Sequence, residues 1–173
     1  MKGSFTIFRK TLVVIALFLT IATLVGRAAA QKDERQEIDL LIKSARYLEE
    51  KPFDKKAKDV RSWAIKWIIA TDKVSVSVCS LILSGPEKYK YNSELIGQYT
   101  IGMAAFKLSN PDKAKDEEAA QLAGIQSTLV AYEAMVAQEP KAKVQFMDDL
   151  LSKRADGSLA KFAADNNCKE KKP

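Results

Sequence analysis

Three adjacent carboxylate pairs, Glu49/Glu50, Glu117/Glu118 and Asp148/Asp149, are the first residues to test for acid/base or metal chemistry. Neighbouring positions on a helix point about 100° apart, so no pair is built to share a proton or grip an ion from one face. Each reads as solvated surface. Histidine is absent from all 173 residues, which removes the side chain best suited to proton transfer near neutrality. Ser75, Ser77, Ser80 and Ser84 have no Gly-x-Ser-x-Gly setting, no histidine base and no lysine at a diagnostic spacing. Two distant cysteines cannot supply the usual zinc ligands, and no glycine-rich phosphate loop occurs. The expectation is a protein that is not an enzyme and uses no cofactor or metal.

Three further groups of residues each suit either ordinary packing or a binding role. Trp63 and Trp67 lie one helical turn apart, a spacing that suits core packing or an aromatic wall for a ligand. Lys88-Tyr89-Lys90-Tyr91 interleaves basic and aromatic side chains, which suits a solvated interhelix loop with its tyrosines resting on the core edge or, with Tyr99 nearby, a partner surface. Gly97, Gly102, Ala104 and Ala105 leave low relief where a neighbouring backbone can approach.

The elements that must carry these residues read as helices. Ile38, Leu41, Ile42, Ala45 and Leu48 follow the three-and-four spacing of one helix face, stopped by Lys51-Pro52. Asp54 or Asp59 is the expected cap of a second helix, with its stripe at Val60, Trp63, Ala64, Trp67, Ile68 and Thr71. Val74 to Val78 alternates with period two, as a short strand does, but no second such segment exists to pair with it, so a helix is expected there. Further helices are expected from about Glu94 to Leu108, from Asp116 to Gln138, through Val144 to Leu151, and a short one at Leu159 and Phe162 capped by Ser158. Gly85-Pro86, Asn110-Pro111, Pro140 and Asp156-Gly157 separate them. The fold class is therefore all-α, an antiparallel bundle or stacked hairpins of about six helices.

The N-terminus reads as a cleaved signal peptide, residues 1–30, with a basic start at Lys2, Arg9 and Lys10, an apolar run and Ala28-Ala29-Ala30. The run between Lys10 and Arg27 is 16 residues, short of the about 20 that span a bilayer, so no stable anchor is expected after cleavage. The expected location is periplasmic or secreted, with residues 31–168 as one helical domain and 169–173 as a disordered basic tail. In that compartment Cys79 and Cys168 are expected to form a disulfide, closing a loop worth about 4–5 kcal/mol in the chain-entropy picture. The net charge of +6 falls once the four basic residues of the leader leave: 24 basic residues then face 22 acidic ones. Nucleic acid is not an expected partner.

The segment Ala131-Tyr132-Glu133-Ala134-Met135 through Glu139-Pro140 resembles the second helix of a tetratricopeptide hairpin, with an aromatic eight residues before the closing proline. That resemblance implies a helical protein-interaction scaffold. The functional expectation is an exported, non-enzymatic accessory or protein-interaction domain of the cell envelope. The alternative is a small-molecule carrier with an apolar pocket between helices, built on Trp63 and Trp67.

Overall fold

The computed structural model describes residues 34–78 and 89–166. Chain contacts divide the molecule into two units, Met1–Asp39 and Leu40–Pro173. Residues 34–39 of the first are described and are helical. The second unit opens with helix α1, residues 40–50. It continues through α2 (Ala57–Ala70), α3 (Asn92–Ser109), α4 (Glu117–Gln138), α5 (Gln145–Ala155) and α6 (Leu159–Asp165). Single 3-10 turns at Pro111–Lys113 and Pro140–Ala142 lead into α4 and α5. The protein is all-α, with no strand among the described residues.

Local chemistry explains where the helices stop. Asp54 does not cap α2. Its carboxylate accepts from the Lys56 N–H at 2.8 Å and from the Tyr47 hydroxyl at 2.6 Å, shaping the turn that follows α1. Those bonds, the Tyr47 hydroxyl foremost, hold the Asp54 carboxyl below its ordinary pKa. Asp59 sits inside the first turn of α2 rather than at the cap, where a carboxylate still favours the positive end of the helix dipole. Asn110-Pro111 opens the 3-10 turn instead of α4, and Asp116 is the true cap, accepting from Ala119 N–H at 3.0 Å. Gly157, at φ 80°, supplies the left-handed residue that separates α5 from α6.

Residues 74–78 correct the helix expected there. They are irregular. Thr71 Oγ1 accepts from Lys73 N–H at 3.2 Å, a local turn that takes the chain out of helical geometry. Val74 then buries into the core and Val76 is half-buried, while Ser75 and Ser77 are exposed. Neither the helix nor the short strand that the alternation suggested forms there, and no second strand lies among the described residues to pair with it. The buried Lys107 ammonium holds this segment by donating to Ser75 O at 2.8 Å while pairing with Glu117 at 2.5 Å.

Two apolar cores meet on α3. Leu41, Ala45 and Leu48 of α1 join Ala57, Ala64 and Ile68 of α2, Val74, and Ile101 and Ala104 of α3. Leu95, Tyr99 and Met103 on the other side of α3 join α4, α5 and α6 through Ile125, Leu129, Tyr132, Met147, Leu150 and Leu159. A helix apolar around its circumference belongs in the interior, which is where α3 lies. It crosses α4 closely at Gly102 and Gly124: a Cβ added to Gly124 would stand 2.6 Å from Met103 Cγ and 2.9 Å from Tyr99 O.

Candidate functional site

Helix α2 has more apolar surface than one core can cover. Val60, Ala64 and Trp67 turn toward the core shared with α1. Lys58, Arg61, Ser62, Ile65 and Ile69, again three and four apart, run along another side. That side, the segment from Thr71 to Val78, and the first half of α3 line a groove of about 1060 Å³. Its walls are Ile65, Ile68, Ile69, Val74, Val76, Val78 and Ile96, and its polar rim carries Lys58, Arg61, Lys66, Ser93 and Glu94. Ile69 is 79% exposed and Val78 39% exposed, so this is apolar surface the described residues do not cover.

Gly97 and Arg61 shape the groove's end nearest the start of α2. A Cβ on Gly97 would meet Arg61 Cδ at 2.7 Å, so the arginine stem lies across α3 only because the glycine leaves room. Arg61 Nη2 reaches Pro52 O at 3.3 Å, and Nε is buried with no hydrogen-bond partner among the described residues. Burial lowers the pKa of the guanidinium, opposed by the negative charge of Glu94.

A smaller cleft of about 300 Å³ lies among α1, α3 and α4, lined in part by Arg46, Glu49, Gly102 and Ser127. Gln98 Nε2 donates to Ala45 O at 3.1 Å and to Ser127 Oγ at 2.7 Å, and the Ser127 hydroxyl donates to Glu49 Oε1 at 2.5 Å. A serine aimed at a carboxylate has the outline of a nucleophile and its base. Here Ser127 is 8% exposed and shares its oxygen with Gln98, so the trio acts as a polar tie joining three helices.

The residues singled out by type do not assemble into one site. Trp63 and Trp67 stack with ring centroids 6.4 Å apart and pack against the α1–α2 core, away from the groove lining. Tyr91 and Tyr99 are 6% and 1% exposed and belong to the core around α4, which withdraws them from the expected partner surface. Tyr89 is half-buried and donates to Ala142 O at 2.5 Å, its pKa pushed up chiefly by burial. Lys90 is exposed, sits 4.7 Å over the Tyr91 ring and pairs with Glu139 at 3.7 Å. Lys88, Cys79 and Cys168 lie outside the described residues, as does the N-terminal segment.

The adjacent carboxylates are split between unrelated tasks. Glu49 accepts from Ser127, Glu117 from Lys107, and Asp148 from the Tyr132 hydroxyl at 2.9 Å, while Asp149 accepts from Gln145 on its own helix. Among the described residues no three His, Cys, Asp or Glu side chains cluster as a metal site. No described helix is long and apolar enough to cross a membrane. The groove was missed by type-based reading because its residues are ordinary aliphatics. The available signal was Ile65 and Ile69, two apolar residues that fall outside the stripe assigned to α2. No family model matches the chain, and neither does any curated protein or solved structure.

Proposed function

We propose that this chain is an exported, non-catalytic carrier whose groove between α2, the irregular 71–78 segment and α3 takes a small apolar or amphiphilic molecule. The observation behind this reading is the groove itself, about 1060 Å³ with largely aliphatic walls and a few polar groups at its rim. Its size stands just above the range of about 300–1,000 Å³ usual for small-molecule sites. The wall is aliphatic rather than the aromatic one suggested by Trp63 and Trp67. A protein-docking role at Lys88 to Tyr91 has less support, since Tyr91 and Tyr99 are core residues. Export rests on the basic, apolar and small-residue order of residues 1–30, and the intact mass of the protein from its own host tests it.

The groove is tested with a neutral fluorescent probe, N-phenyl-1-naphthylamine. The expected result is saturable enhancement of emission, lost in Ile69→Asp, which places a charge on the groove wall at a position too exposed to disturb folding. Emission that rises linearly without saturating, or that is identical in the variant, rejects the carrier reading.

A further inference from the structure

The groove is polarised along its length. Lys58, Arg61 and Ser62 occupy the first half of α2, and Ile65, Ile68 and Ile69 the second. At 1.5 Å of rise per residue, Lys58 and Ile69 are separated by roughly 16 Å along the helix. The opposite wall begins with Ser93 and Glu94 at the start of α3 and continues through Ile96 and Gly97, which lies against the Arg61 stem, to Thr100. Three of the rim side chains are cationic and one, Glu94, is acidic, its Oε2 already accepting from the Ser93 hydroxyl at 2.8 Å.

The electrostatic demand is greatest at Arg61. Its guanidinium presents a planar fork suited to a carboxylate; Glu94 supplies a negative charge nearby, but the hydrogen bond shown to it among the described residues is the 3.3 Å contact to Pro52 O, and Nε is left without one. Lys58, one turn away, adds a second positive charge on the same side. Beyond them Ile65, Ile68, Ile69, Val76 and Val78 predominate, interrupted by Lys66, Thr71, Ser75 and Thr100, and the exposed Ile69 and Val78 are surface that an alkyl chain would cover.

From this polarity we infer that the groove binds a single-chain anionic amphiphile of the fatty-carboxylate class, its headgroup against Arg61 and Lys58 and its chain along Ile65, Ile69 and Val78. This rests on the carrier reading above and adds the charge and orientation of the ligand. Lys66, on the aliphatic half of α2, is set apart from the headgroup position.

The test displaces N-phenyl-1-naphthylamine from the protein purified from its host, using laurate, dodecanol and dodecyltrimethylammonium, which share a chain and differ in headgroup charge. Laurate is expected to displace the probe at about a tenth of the dodecanol concentration, with the cationic amphiphile weakest. Arg61→Gln and Lys58→Gln are each expected to weaken laurate severalfold and to leave dodecanol unchanged. Lys58 is exposed, so its variant keeps the test valid even if Arg61→Gln perturbs folding. Equal displacement by all three amphiphiles, or laurate binding indifferent to both substitutions, overturns the headgroup assignment while leaving the groove a ligand site. Failure of the probe and of every amphiphile to bind removes the carrier reading, and this inference with it. An acidic amphipathic peptide that displaces the probe where laurate does not overturns the fatty-carboxylate class in favour of a protein partner.

Discussion

Helix α3 approaches a neighbour through glycine on two sides, and the two approaches differ in what occupies the space. Toward α4, Gly102 and Gly124 let helix meet helix: a Cβ on Gly102 would stand 2.6 Å from Ser127 Cβ and 3.4 Å from Gly124 Cα. Toward α2, the room left by Gly97 is filled by the methylenes of a single arginine. The first contact sets glycine backbone against the buried side chains of Ser127, Met103 and Tyr99 and against the Tyr99 carbonyl, which cannot swing aside. The second is a flexible stem that can swing, and next to it the packing opens into the groove. One side of α3 therefore holds the fold together, and the other leaves apolar surface for a ligand.

The same substitution made on each side measures this difference. Gly124→Ala is expected to lower unfolding free energy by about 2 kcal/mol, the largest effect in the series. Overpacking costs about 1–3 kcal/mol and falls at the top of that range when a carbonyl oxygen is the obstacle, while helix propensity returns about 1 kcal/mol. Urea denaturation followed by circular dichroism measures it, and a midpoint equal to wild type would mean that the α3–α4 seam is looser than its contacts imply. Lys107→Met comes next, at about 1–2 kcal/mol. Loss of one partner from a buried pair costs more than that, but Glu117 is 43% exposed and water screens what remains. Because Lys107 also holds Ser75 O, the variant should show faster amide exchange over residues 74–78 than elsewhere. Uniform acceleration across all helices would show instead that the lysine serves general stability and not the groove wall.

How far the sequence discloses this arrangement depends on whether the signal is local. Helix periods and prolines are local, so α1, α2, α4 and the break at Gly157 were legible to within a few residues. The low relief of Gly97 and Gly102 was legible too, but not their partners, since Ser127 and Arg61 are far away in the chain. Residues 74–78 were misread because their stabilising contacts, Val74 in the core and Lys107 on Ser75 O, are tertiary and leave no trace in a window of eleven residues. Tyr91 and Tyr99 could be read as core-edge rings or as partner contacts because tyrosine joins an apolar ring to a polar tip, and the rings are buried in the core around α4. The groove depended on knowing that the α2 stripe already had a partner, which Ile65 also touches, and that Ile69 was left over.

Tyr132→Phe examines the filled side at its polar end, with an expected loss of about 1 kcal/mol. The Tyr132 hydroxyl accepts from Val144 N–H at 2.9 Å and donates to Asp148 Oδ1 at 2.9 Å, fixing the start of α5 against α4. Burial, the dominant cause, and the bond to Asp148 push its pKa from 10.0 to about 12. The raised folded value means that the neutral phenol stabilises the fold fully below pH 10, and that this contribution disappears as pH rises through about 12. Alkaline unfolding should accordingly be less steep in the phenylalanine variant between those values. Identical slopes would assign the alkaline loss to other groups, Tyr89 first among them, since burial raises its pKa as well.

Gly97→Ala is the smallest expected change and the one that most directly compares the two sides of α3. The added methyl meets Arg61 Cδ at 2.7 Å and Cγ at 3.1 Å, atoms of a stem that can turn away, so a modest packing loss is offset by about 1 kcal/mol of helix propensity. The net should fall within about 0.5 kcal/mol of wild type by the urea midpoint. Displacing the stem moves the guanidinium, so laurate binding should weaken although stability does not. A penalty as large as that of Gly124→Ala would mean that Arg61 is locked in place and that the groove side is as rigid as the seam. A stable variant with undiminished laurate affinity would separate Arg61 from the headgroup and leave Lys58 as the cation to pursue.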